Sequence, residues 1–134
     1  MEPDDWAGLY FHGDSGHDVA DYLELRFWAR GVGAGGQQLR VLIQSGGTAI
    51  AEVALDDHID GGAVANGIWR EASISFAAIG LTGGSFNELI LQGTFNGDQA
   101  PVLFDDVRFV FDPTPPGPVA IAVDPALDRR PVSA

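Results

Sequence analysis

The chain contains no cysteine. That absence excludes disulfides, zinc–thiolate centres and thiol nucleophiles together. It leaves the compartment open, because cysteine-free domains occur inside and outside cells. No run approaches the ~18 apolar residues of a membrane span. The opening Met1-Glu2-Pro3-Asp4-Asp5 is acidic and lacks the basic and apolar regions of a signal peptide. Enzyme signatures are missing as well: there is no Gly-x-Ser-x-Gly, no His-Glu-x-x-His and no P-loop. Ser15, in Gly-Asp-Ser-Gly-His, matches a serine-protease motif only by accident, since the upstream partners are absent. Basic residues are scarce: Lys and Arg number 7 against 19 Asp and Glu, for a net charge of −12. Phosphate binding needs a basic surface, so this balance argues against nucleic acid and against anionic membrane as partners. A neutral polysaccharide suits it, and so does a domain whose acidity only keeps it soluble.

What is present is alternation, in 134 residues that suffice for one domain with a core. From Tyr22 to Arg30 an extended chain sends Leu23, Leu25, Phe27 and Ala29 to one side. Tyr22, Glu24, Arg26, Trp28 and Arg30 go to the other. Trp28 is the misfit there, a large aromatic among charges. Further strands are expected over 6–12, 38–44, 48–55, 69–76, 86–94 and 101–111. Val107 and Phe109 should look inward, and unbroken parity carries Asp105 and Leu103 to the same face. A single bulge would swap such faces. Residues 13–21 should form a turn-rich loop, Gly31–Gly36 a flexible connection, and 77–84 a short link with room for one helical turn. Asn96-Gly97-Asp98 signals a turn. Asp112–Pro118 should be a polyproline linker, and Val119–Ala134 the truncated, disordered start of a following domain. About seven short strands over 1–111 predict an all-β, antiparallel β-sandwich.

Trp28, Trp6 and Tyr10 are the candidate binding aromatics, because C–H-rich sugar faces pack on flat rings. If the first two strands share a sheet, Trp6, Tyr10 and His12 lie near Trp28, Arg26 and Glu24. Gln38, Arg40 and Gln92 would then border that floor and read hydroxyls. The competing reading has the Trp residues capping the sandwich, which is the preferred one for Trp69. An inward Asp105 would need backbone donors or a cation such as calcium. Asp56, Asp57, His58 and Asp60, or His12 and His17 with Asp14 and Asp18, are weaker metal candidates than solvated loops. No carboxylate pair stands out as a glycosidase dyad.

The segments WAGLYFH, YLELRFWARGVGAGGQQLRV, WREASISFAAIGL and PVLFDDVRFV, in that order, resemble β-sandwich carbohydrate-binding modules of bacterial secreted glycanases. The tail AIAVDPALDRRPVSA is similar to the lead-in of family forty-four glycoside hydrolases. The resemblance implies a jelly-roll, galactose-binding-like fold and a secreted parent enzyme with a covalently linked catalytic domain. It also implies non-catalytic binding of plant cell-wall β-glucans: cellulose chains, mixed-linkage β-glucan or xyloglucan. Such modules usually carry a strand or two before the WAGLYFH position, often with calcium ligands. A missing strand would leave an unpaired edge open to a second copy, hence a homodimer, and would remove part of the calcium site. A structural or adhesion module making protein contacts, and a stand-alone glycan-active enzyme, remain the alternatives.

Overall fold

The computed structural model describes residues 8–94 and 98–113. Its strands are β1 (Gly8–Asp18), β2 (Tyr22–Gly31), β3 (Leu39–Ser45), β4 (Thr48–Ala54), β5 (Arg70–Ser75), β6 (Ser85–Gly93) and β7 (Val102–Phe111). They pair antiparallel into a four-stranded sheet, β1-β6-β3-β4, and a three-stranded sheet, β5-β2-β7. Only β3 and β4 form a hairpin within one sheet. Every other connection crosses the sandwich, as in a jelly roll. Trp6, the Asn96-Gly97 turn, the linker from residue 114 and the tail 119–134 lie outside the described residues.

Alternation builds the core. Leu25, Phe27 and Ala29 of β2 are fully buried, as are Ala72 and Ile74 of β5. Val41 and Ile43 of β3 and Leu89 and Leu91 of β6 meet them from the facing sheet. Burying each large apolar side chain of this kind favours folding by about 1.5–3 kcal/mol. Aromatics close one end: Phe86 lies 4.7 Å from Phe109 between ring centroids, and Tyr22 stacks on Phe111 at 4.8 Å.

Two bulges overturn expected faces. The β2–β7 ladder shifts between Tyr22 and Glu24, so Tyr22 packs on the core and Leu23 is 44 % exposed. It shifts again between Arg26 and Trp28, where Asp106 takes a φ of 51°. Val102 and Phe104 face inward before this second bulge, and Val107 and Phe109 after it. Asp105 and Leu103 are therefore exposed rather than inward. The Asp105 carboxylate accepts the Asp106 N–H at 2.8 Å. The desolvation cost that called for a cation at Asp105 does not arise.

Two connections also differ from expectation. β1 continues through the turn-rich stretch to Asp18, because pairing resumes at His17–Phe86 and Asp18–Ser85 after an irregularity. Ladder bonds to β6 outweigh local turn preference there. The glycine stretch is pinned rather than slack. Buried Gln37 donates through Nε2 to the carbonyls of Ala34 at 2.9 Å, Pro101 at 3.2 Å and Ala100 at 3.3 Å. A Cβ at Gly31 would stand 2.2 Å from the Ala34 carbonyl oxygen, so glycine is required there for close approach.

The four-stranded sheet is one strand wider than its partner. Phe11, level with Leu89 on the inner face of β1, is consequently 42 % exposed. It borders a cleft of about 340 Å³ shared with His17, Tyr22, Phe86, Phe109 and Phe111.

Replacing Gln37 by Leu removes its three hydrogen bonds between two loops, each worth about 0.5–1.5 kcal/mol net. Urea unfolding of Gln37→Leu should show a lower midpoint with an unchanged slope.

Candidate functional site

The outer face of the four-stranded sheet is a grid of cross-strand rows. One row runs Tyr10, Ile90, Leu42, Glu52 from β1 across β6 and β3 to β4. On one side of it lie Gln92, Arg40 and Ala54, and on the other His12, Glu88 and Gln44. An apolar strip is thus bordered by planar polar groups. Its apolar members Tyr10, Ile90 and Leu42 span three strands, roughly 10 Å at about 4.8 Å spacing, with Leu42 only 8 % exposed.

Tyr10 is 57 % exposed, and its ring lies within 17° of parallel to that of His12, at a centroid distance of 6.0 Å. Together they form a shelf at the β1 end of the strip. Glu88 holds the shelf in place. One carboxylate oxygen accepts the Tyr10 hydroxyl and sits 3.0 Å from His12 Nδ1. The other accepts the Gly47 N–H at 2.9 Å. The Tyr10 hydrogen bond lowers the Glu88 pKa against the opposing effect of burial, with Gly47 and His12 adding to the lowering. The same hydrogen bond, with desolvation and the nearby charge, raises the Tyr10 pKa. The far end of the strip is equally ordered. Arg40 donates to Gln92 Oε1 and to Glu52 Oε2, each at 2.9 Å. Gln38 donates to Asp56 at 3.0 Å, and its backbone N–H donates to Gln99 Oε1 at 2.6 Å.

Of the residues expected to share one surface, Tyr10, Gln38, Arg40 and Gln92 come together here. Trp28 and Arg26 do not. β1 and β2 belong to different sheets, so the condition that joined them fails. Trp28 and Arg26 lie on the outer face of the other sheet, among ion pairs from Arg26 to Glu71 at 3.3 Å and to Glu24 at 3.7 Å. Glu88 went unnoticed as a site residue, although its parity with Ile90 and Gln92 was visible in the alternation of FNELILQ. Trp69, expected to be structural, is 39 % exposed. Among the described residues no group of three His, Asp or Glu side chains converges as metal ligands would.

No family model matches the chain, and no curated protein matches it.

A group whose folded pKa is lowered stabilises the fold above the usual carboxylate range, about 4.3, and that contribution is lost as pH falls through the folded value. Glu88→Gln cannot titrate. The difference in melting temperature between the unaltered protein and Glu88→Gln should be largest near neutrality and should shrink below about pH 4.

Proposed function

We propose that the domain binds plant cell-wall β-glucans without cleaving them, through the outer face of the four-stranded sheet. The carrying observation is the Tyr10 ring, more than half exposed on β1 and held by Glu88. Sugar rings stack on Tyr10 and His12 and continue over Ile90 and Leu42. Hydroxyls on either side exchange hydrogen bonds with Arg40 and Gln92, and with Glu88 and Gln44. The existing side-chain bonds keep these groups aligned before a ligand arrives, which limits the ordering cost of binding. The resemblance to carbohydrate-binding modules supports the same reading. It adds a linked glycoside hydrolase, whose substrate concentration the tether would raise.

Affinity electrophoresis in gels containing hydroxyethylcellulose, mixed-linkage β-glucan or xyloglucan tests this. Retardation is expected in at least one, with no hydrolysis. Tyr10→Ala should weaken binding about tenfold, the equivalent of roughly 1.4 kcal/mol of stacking. Trp28→Ala should leave it unchanged. Free migration in every gel would refute the proposal, and full binding by Tyr10→Ala would move the site off this face.

A further inference from the structure

Arg30 stands apart from the other cations. The chain has no lysine, and five arginines lie among the described residues. Arg26, Arg40 and Arg108 each pair with a carboxylate, and Arg70 donates to the Ala63 carbonyl at 2.9 Å. Arg30 has no side-chain hydrogen bond and no ion pair among the described residues, and its Nε is buried without an acceptor. The Nε is enclosed by the protein, so the donors open to a ligand are those of the two unengaged Nη groups. In a chain of net charge −12 with 19 acidic residues, a guanidinium without a carboxylate points to a partner from outside.

Its neighbours narrow the chemistry. Arg30 points outward from the central strand β2, as Trp28 does two residues before it. Leu103 of β7 lies opposite Arg30 and is 40 % exposed. On the other side the last β2–β5 pair is Ala29–Arg70, and Trp69, the residue just before β5, would fall diagonal to Trp28 if the register continued one step. Diagonal neighbours on a sheet are roughly 7–8 Å apart, within reach of one ring-sized ligand. The face is close to charge balance, with Arg26, Arg30 and Arg108 against Glu24, Glu71, Asp105 and Asp106. Screening over about 8 Å at physiological salt shields it from the acidic remainder.

We propose that Trp28, Arg30 and Trp69 form a second binding site, on the sheet opposite Tyr10, for a carboxylate-bearing sugar: a uronic-acid unit of an acidic polysaccharide. The planar guanidinium takes the carboxylate as a fork, and the indoles flank the ring. A peptide carboxylate would use the fork and leave the indoles idle. The proposal concerns a different face from the glucan site and does not depend on it.

Titration of the ¹⁵N-labelled chain with trigalacturonate, followed at the indole N–H signals, tests it. The Trp28 and Trp69 signals should shift and saturate at millimolar concentration. The methyl ester of trigalacturonate should bind about tenfold more weakly, as should the acid to Arg30→Gln, while Arg30→Lys retains part of the affinity. Tyr10→Ala should leave the titration unchanged, and circular dichroism should show Arg30→Gln folded. Absence of shifts, equal binding of the ester, indifference to Arg30→Gln in a folded variant, or an equal response to N-acetylglutamate would each overturn the proposal.

Discussion

The pleat of β2 is the constraint on which the molecule depends. It is the central strand of its sheet, bonded to β5 on one side and β7 on the other. Its inner side chains, Leu25, Phe27 and Ala29, are sealed against the facing sheet. That burial leaves no freedom in register, because a slip of one residue would exchange apolar and charged sets. The same strand therefore dictates what appears outside: Glu24, Arg26, Trp28 and Arg30 face outward, half-buried, as a consequence of what is hidden.

The two outer faces are built differently. On the four-stranded sheet, nearly every polar side chain is engaged: Tyr10 and His12 with Glu88, Arg40 with Gln92 and Glu52, and Gln38 with Asp56. Such a surface is ordered and offers its remaining lone pairs to hydroxyls. On the three-stranded sheet, ion pairs gather at one end around Arg26, Glu71 and Arg108, while Arg30 sits at the other with indoles and Leu103. In the two proposals, the first face takes a neutral, hydroxyl-rich ligand and the second one with charge.

Strand positions and most inward residues were legible in the sequence, because period-two alternation is strong from Leu25 to Ala29 and from Ala72 to Phe76. Strand partners were not. β1 precedes β2 directly, and nothing in Gly13–Asp21 shows that the chain crosses to the other sheet between them. Trp28 was thereby grouped with Tyr10, although the two lie on opposite faces. The misassigned faces at Leu23 and Asp105 have one cause, a bulge in each case. No composition signal marks either one: Asp106 takes its positive φ where glycine would have been the usual clue. The glycine stretch misled in the opposite sense, since its small residues admit close contact around Gln37 rather than slack.

The unequal width of the two sheets has a dynamic corollary. Among the described residues β1 is bonded to β6 alone, and the opposing layer does not fully roof its inner side at Phe11. A single hydrogen-bonded neighbour puts a segment toward the low end of local opening free energies. β1, like the other edge strand β4, is thus a natural place for the sheet to open, and Tyr10 and His12 travel with it. A polymer lying across β1, β6 and β3 would stitch an edge strand to the interior of the sheet. Some of its binding free energy would then appear as slowed amide exchange in β1 rather than as affinity.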